Sequence, residues 1–125
     1  MDKKILIIED DVAIADLYKK ELEKAGYKVV IANSGGEGLT LASEEKPAVI
    51  LLDIMMPAID GFTVIRNLKE KKETAETPII ILTNLGTSKI FIEEARRLGV
   101  ENYLLKYKAS LKDVINTIEK VLKKE

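Results

Sequence analysis

The sequence predicts an α/β fold in which a five-stranded parallel sheet is flanked by five helices. Two observations support this prediction. Short runs rich in Ile and Val recur along the chain with almost no polar alternation, which is typical of strands covered on both faces. A segment with helical periodicity follows each run, and this alternation favours a doubly wound arrangement with helices on both faces of the sheet.

The five predicted strands are identified by their aliphatic composition and by the polar or glycine-containing segments that bound them. They cover residues 5–8, 28–32, 48–52, 79–82 and 102–105. Because these strands and the helices between them account for the whole chain, we expect residues 1–125 to form a single domain.

The predicted helices are recognised by apolar residues spaced three or four positions apart. One face of the first helix is apolar, and Gly26 follows that helix as a stop signal. The residues of this face are Ile14, Leu17, Tyr18, Leu22 and Ala25. Asp60 and Gly61 are interpreted as the turn into the third helix.

Capping-box patterns predict where two other helices begin. Ser34 with Glu37 has the spacing of a capping box at the start of the second helix. Ser110 with Asp113 has the same spacing at the start of the fifth helix. Asn33 and Ser34, which follow the second strand, are therefore interpreted as ordinary capping residues.

Composition excludes several classes of function. The chain has 125 residues, with 20 Lys and Arg against 21 Asp and Glu, so it offers neither a basic footprint for nucleic acid nor a polybasic patch for a membrane. It contains no cysteine and no histidine, so a bound metal must be a hard cation held by oxygen ligands. No apolar run approaches a signal peptide or a membrane span, and we expect a cytoplasmic protein.

Polar residues follow four of the predicted strands at their carboxyl ends, where open α/β sheets place their sites. The first strand ends in Glu9, Asp10 and Asp11, the third in Asp53, the fourth in Thr83 and the fifth in Lys106. In the flavodoxin-like strand order 2-1-3-4-5 the first and third strands are neighbours. We therefore expect the three aspartates to share one crevice, flanked by the hydroxyl and the ammonium group.

These residue types in this arrangement indicate phosphoryl transfer. Three crowded carboxylates repel one another unless a cation joins them, and Mg²⁺ (or Mn²⁺) accepts carboxylate and phosphate oxygens. Asp53 is the candidate nucleophile that forms an acyl phosphate, and Asp10 and Asp11 are the candidate metal ligands. Lys106 and Thr83 are candidates for binding the phosphoryl oxygens.

Two of these aspartates also have a structural interpretation. Asp11 could cap the first helix, because it stands directly before a segment with helical periodicity. Asp53 could begin an Asx turn. The sequence leaves both interpretations open beside the functional ones.

Four motifs in this order resemble the receiver domain of two-component response regulators over essentially the whole chain. The motifs cover residues 8–11, 52–57 with 60–61, 78–83 and 102–106. The resemblance implies that a histidine kinase or phosphotransfer protein phosphorylates Asp53 from a phosphohistidine. It also implies that Asp10, Asp11, Asp53 and the backbone carbonyl of Met55 hold the metal.

The resemblance further implies a conformational switch and points to three departures from the family pattern. Thr83 would move onto the phosphoryl group while Tyr103 swings inward.

Asn84 replaces a small residue, and we expect it to change the rate or lifetime of phosphorylation. Tyr107 replaces a proline, so we expect either a trans Lys106–Tyr107 bond or a strained cis bond. Ala58 replaces a glycine.

The resulting hypothesis is a phosphorylation-dependent signalling switch, not an enzyme in its own right. Its output would be a downstream protein or a second copy of the chain. The expected interaction face consists of the fourth helix, the fifth strand and the fifth helix, with Lys89, Phe91, Lys108 and Lys112. No direct contact with nucleic acid or membrane is expected.

The sequence is also compatible, to different degrees, with three alternative functions. The first is an inactive receiver-like scaffold, which Asn84 and Tyr107 keep open. The second is an aspartate-nucleophile phosphatase, which is disfavoured because Met55 stands where such enzymes need a second aspartate. The third is a nucleotide- or flavin-binding module, which is disfavoured because the chain has no glycine-rich phosphate loop.

Overall fold

The computed structural model describes residues 3–56, 59–84, 89–106 and 109–123. Along these residues the five strands of a parallel sheet alternate with five helices. The strands are β1 (Lys4–Ile8), β2 (Lys28–Ala32), β3 (Val49–Leu52), β4 (Ile79–Thr83) and β5 (Asn102–Leu105). The helices are α1 (Val12–Lys24), α2 (Gly35–Glu45), α3 (Gly61–Glu70), α4 (Lys89–Arg97) and α5 (Leu111–Lys123). The sheet order is β2-β1-β3-β4-β5, which confirms the predicted fold class and strand order.

The register of the central strands fixes where the chain leaves the sheet. Ile8 pairs with Ala32 on one side and with Leu52 on the other, so β1, β2 and β3 end at the same level. On the far side of β3, Leu52 pairs with Ile81 of β4. The carboxyl ends of neighbouring strands therefore meet along one edge of the sheet.

The two faces of the sheet carry separate apolar clusters. Ile8 and Leu52 pack with buried residues of α2, α3 and α4, whereas Ile7 and Leu51 pack with buried residues of α1 and α5. Each fully buried Leu or Ile side chain contributes roughly 2 kcal/mol. This two-sided coverage explains why the strands lack polar alternation. None of the helices that the structure describes combines the length and the apolar composition of a membrane-spanning segment.

The predicted capping residues are confirmed at two helix starts. Ser110 and Asp113 bond reciprocally: Ser110 Oγ accepts the Asp113 N–H at 3.1 Å, and Asp113 Oδ2 accepts the Ser110 N–H at 2.9 Å. At the start of α2, Ser34 Oγ accepts the Glu37 N–H at 3.1 Å. The Glu37 carboxylate reaches one residue further back than a standard capping box and accepts the Asn33 N–H at 2.7 Å.

The buried face of α1 is narrower than the sequence predicted. Ala15, Tyr18 and Leu22 are buried, and they lie on one stripe of the helix. Leu17 is 50% exposed, because it lies about 100° around the helix from Tyr18. Ala25 is exposed and follows the last helical residue as its C-cap. The predictions that Leu17 and Ala25 belong to the core face are therefore wrong.

Two helices pack so closely against their neighbours that a Cβ at the point of contact would force a neighbouring atom to shift. A Cβ added to Gly38 of α2 would lie 2.6 Å from Ile8 Cδ1, and one added to Gly61 of α3 would lie 2.3 Å from Ile54 Cα. Asp60 caps α3 by accepting the Thr63 N–H at 3.0 Å, as predicted. The start of α3 is therefore fixed by the Asp60 cap and by the close approach of Gly61 to Ile54.

We predict that Gly61→Ala lowers the free energy of unfolding by about 2 kcal/mol or more, because the new methyl group meets backbone and the chain itself must shift. Gly36→Ala is the matched control in α2, since a Cβ there meets nothing within 4 Å. The control should be neutral or stabilising by up to about 1 kcal/mol. Urea unfolding curves measure both values, and equal stabilities for the two variants would contradict the prediction.

Candidate functional site

The site forms where β1 and β3 end side by side. The Asp53 N–H donates to the Ile8 carbonyl at 3.0 Å, so the first residue after β3 is still bonded to β1. On the other side of β1, the Glu9 N–H donates to the Ala32 carbonyl at 2.9 Å. Glu9 and Asp53 are thus held at equivalent positions, each directly after a buried strand.

Three carboxylates gather at this point. Glu9, Asp10 and Asp53 each offer a carboxylate oxygen, and these oxygens all lie within 4.8 Å of one another. Glu9 is 3% exposed and Asp53 is 5% exposed, whereas Asp10 is open to solvent. Buried negative charges at this spacing repel one another and are poorly hydrated, so they need positive charge nearby.

Lys106 supplies that charge from the end of β5. Its ammonium group forms ion pairs with Glu9 and with Asp53 Oδ2, the second at 3.0 Å, and its side chain is only 10% exposed. The Lys106 N–H donates to the Thr83 carbonyl at 2.8 Å, which anchors the backbone beside β4. The predicted convergence of Asp53 and Lys106 is present in the structure.

The electrostatics of the site are dominated by burial. Desolvation raises the pKa of Glu9 to about 6, and the neighbouring Asp53 charge adds to that effect, although Lys106 and the Asp11 N–H oppose it. Burial alone would lower the pKa of Lys106, but its bonds to Glu9 and Asp53 raise that pKa above its ordinary value. One ammonium group therefore remains charged beside carboxylates that it does not fully neutralise.

Asp11 is not brought into this cluster. Its Oδ1 accepts the Ile14 N–H at 3.1 Å and caps α1, which is the structural alternative that the sequence left open. Its own N–H donates to Glu9 Oε2 at 3.1 Å. The expectation that Asp11 shares the crevice is therefore corrected, and Glu9 occupies the place expected for it.

Sequence reasoning missed Glu9 although a signal was present. Glu9 follows β1 directly, just as Asp53 follows β3, and these two strands are neighbours in the predicted order. Residues at the same distance past two neighbouring strands lie side by side. Counting from the last apolar residue of each strand would have paired Glu9 with Asp53.

Asp53 also forms the turn that was its structural alternative. Its Oδ1 accepts the Met55 N–H at 2.9 Å, which is an Asx turn, while its Oδ2 accepts from Lys106. The turn leaves Met55 51% exposed. The structural and functional interpretations of Asp53 are therefore compatible, because each uses a different oxygen.

The predicted switch residues lie on the two strands that follow β3 in the sheet. Thr83 is fully buried at the end of β4. Tyr103 of β5 packs against the apolar cluster of α2, α3 and α4, and burial raises the pKa of its phenol. Its hydroxyl is buried without a hydrogen-bond partner in the part of the chain that the structure describes.

Asn84 is exposed directly after Thr83. Tyr107, Ala58 and the Lys106–Tyr107 bond lie outside the described residues.

Comparison with known proteins identifies the family. The model of the response regulator receiver domain matches residues 5–119. The chain belongs to this family. Phosphorylation on an aspartate is characteristic of such domains, which act in two-component signalling.

Relatives of this receiver domain are found among regulators of different length. It is 44% identical over 103 residues to the DNA-binding dual master transcriptional regulator RpaA of Synechocystis, with 82% of this chain and 42% of RpaA covered. It is 40% identical over 107 residues to Protein PilH of Pseudomonas aeruginosa, with 82% of this chain and 84% of PilH covered. The chain therefore spans less than half of RpaA.

Solved structures agree with the fold. The chemotaxis protein CheY4 of Vibrio cholerae superposes with a TM-score of 0.91 at 29% identity, covering 98% of this chain and 100% of that protein. A CheY-like receiver domain protein from Methanospirillum hungatei gives a TM-score of 0.90 at 28% identity, covering 99% of this chain and 96% of that one. The doubly wound arrangement of this receiver domain is therefore shared along almost its full length.

We predict that the metal-free protein loses stability relative to Glu9→Gln as the pH rises. The pKa of Glu9 rises from 4.5 to about 6 on folding, so the folded state binds the proton more tightly. The contribution of the protonated Glu9 carboxyl to the free energy of unfolding is fully present below pH 4.5. It is lost as the pH rises through about 6.

Urea unfolding of both proteins at several pH values, with a chelator present, measures this difference. From below pH 4.5 to above pH 6, the free energy of unfolding of the wild type should fall by about 2 kcal/mol relative to that of Glu9→Gln. Parallel curves for the two proteins would contradict the assignment of the pKa to Glu9.

Proposed function

We propose that this receiver domain is a phosphorylation-dependent switch that accepts a phosphoryl group on Asp53 from a histidine kinase or phosphotransfer protein. The observation that supports it most directly is the environment of Asp53. Its carboxylate lies at the end of a central strand, beside two further carboxylates, and is bonded to a buried lysine. A purely structural turn residue requires none of these neighbours.

The donor set of the site suits a hard divalent cation. Glu9, Asp10 and Asp53 offer carboxylate oxygens at a mutual distance that one ion can span, and such oxygens are the ligands of Mg²⁺ and Mn²⁺. We propose that these three residues hold the cation, with the Met55 carbonyl as a fourth ligand. When bound, the cation supplies positive charge that neutralises phosphoryl oxygens and the excess of carboxylates.

The residues of the chain have distinct parts in the proposed transfer. An oxygen of the Asp53 carboxylate attacks the phosphorus, the new P–O bond forms, and the P–N bond to the donor imidazole breaks with its electron pair moving to nitrogen. Lys106 and Thr83 bind phosphoryl oxygens. Residues 1–125 contain no histidine, so the donor histidine lies outside this domain.

We propose that the phosphorylated state is read by a protein partner or by a second copy of the chain through α4, β5 and α5. Lys89 and Lys112 are exposed, whereas Phe91 is half-buried and stacks on Phe62 with ring centroids 6.0 Å apart. Lys108 lies outside the described residues. Movement of Thr83 and Tyr103 would couple the site to this face. We further propose that the transfer of the phosphoryl group to Asp53 takes place in the cytoplasm.

We predict that incubation with a divalent cation and a small-molecule phosphodonor adds the mass of one phosphoryl group to the wild type, because Asp53 is the only nucleophile in the proposed transfer. Asp53→Asn keeps the shape of the side chain and should gain no mass. Intact-mass spectrometry measures both. No gain on the wild type with any donor, including a kinase, would favour an inactive scaffold.

A second prediction separates the two aspartates that follow Glu9. Asp10→Ala should abolish saturable Mg²⁺ binding with little change in stability, because its carboxylate belongs to the cluster and is exposed. Asp11→Ala should lower the free energy of unfolding by about 1 kcal/mol, because a helix cap is lost, and should retain Mg²⁺ binding. Titration calorimetry and urea unfolding measure the two effects, and the reverse pattern would restore Asp11 as a ligand.

A further inference from the structure

The connection between β2 and α2 is bonded to the loop that carries the acidic cluster. Asn33 Nδ2 donates to the Glu9 carbonyl at 3.1 Å, across 24 positions in sequence. The neighbouring bond, from the Glu9 N–H to the Ala32 carbonyl, is the last one of the backbone ladder between the two strands. The Asn33 side chain thus continues the pairing of β1 with β2 by one further hydrogen bond, beyond the end of either strand.

Asn33 is itself held in place by α2. Its N–H donates to Glu37 Oε1 at 2.7 Å, and Glu37 lies within α2. Gly35, at the first position of α2, also packs closely against the loop after β3, since a Cβ there would lie 3.2 Å from the Ile59 carbonyl oxygen. Asn33 and the first residue of α2 therefore contact the two loops that carry the carboxylates.

The bond from Asn33 acts on the peptide group between Glu9 and Asp10. That group is planar, so fixing the Glu9 carbonyl also fixes the N–H and the direction in which the Asp10 backbone leaves. The Glu9 side chain has its own partners, Lys106 and the Asp11 N–H. The Asp10 carboxylate accepts no hydrogen bond within the described residues and is exposed. Its direction therefore depends on its backbone.

We propose that Asn33 is a positioning residue that aims the Asp10 carboxylate at Glu9 and Asp53 for a divalent cation. This inference rests on the proposed function, because it assigns Asn33 a part in the proposed cation site. It also replaces the interpretation of Asn33 as an ordinary capping residue, since its side chain bonds to the acidic loop and not to α2.

The test compares Asn33→Ala and Asn33→Leu with the wild type. Both variants lack the donor, and leucine keeps most of the volume. Loss of one hydrogen bond of this kind should weaken Mg²⁺ binding about three- to tenfold. Ser34→Ala is the matched control, because it removes the cap of α2 at the same junction without removing the bond to Glu9. The control should change Mg²⁺ affinity less than twofold.

Two readouts distinguish positioning from a general loss of structure. In the metal-free protein, the backbone amide resonance of Asp10 should shift in both Asn33 variants and stay in place in Ser34→Ala. In phosphorylation by a small-molecule donor, the Mg²⁺ concentration for half-maximal rate should rise three- to tenfold in the Asn33 variants, while the rate at saturating Mg²⁺ stays at the wild-type value.

The outcomes separate this inference from the function on which it rests. Wild-type Mg²⁺ binding together with unchanged affinity in the Asn33 variants would overturn the positioning role alone. Equal weakening in Ser34→Ala, or a lower rate at saturating Mg²⁺, would also overturn it. A wild type that neither binds Mg²⁺ nor becomes phosphorylated would overturn both proposals.

Discussion

The ion pairs of Lys106 with Glu9 and Asp53 are the interaction on which the rest of the site depends. Lys106 follows β5, which lies two strands from β3 and three from β1 in the sheet. Its side chain therefore links the end of β5 to the ends of two strands with which β5 does not pair. Both carboxylates are almost wholly buried. Without the lysine they would be uncompensated charges in the interior, a condition that typically costs several kcal/mol.

The charge of Lys106 compensates the carboxylates only in part. One ammonium group lies beside three carboxylates, and burial raises the pKa of Glu9 to about 6, so the cluster has a place for further positive charge. Asp53 already uses both of its oxygens, one for the Met55 N–H and one for Lys106. Under the proposed function, a phosphoryl group on either oxygen must therefore disturb the Asx turn or the ion pair. A chemical event at one atom is in this way coupled to the backbone around it.

The sequence was sufficient for the fold because the fold depends on periodicity. Apolar runs and capping boxes located the strands and helix starts within a residue or two, and the alternation of elements determined the parallel sheet. The sequence was also sufficient to predict that Asp53 and Lys106 lie close together, since each directly follows a strand of the sheet.

It was insufficient where one residue decides the outcome. A carboxylate that caps a helix and one that faces a metal look alike in sequence, and Asp11 and Glu9 were distinguished only by where α1 begins. The contact of Glu9 with Lys106, between residues 97 positions apart, exists only in three dimensions. The same is true of the bond from Asn33 to the acidic loop.

The close approach of Gly38 to Ile8 limits how this protein can vary. Any larger residue at position 38 would press on the Ile8 side chain, and Ile8 immediately precedes Glu9. If β1 moved to relieve that pressure, the buried carboxylates would move with it. A larger residue at position 38 is therefore best accommodated when position 8 carries a smaller side chain, so among functional descendants of this chain the two positions should covary.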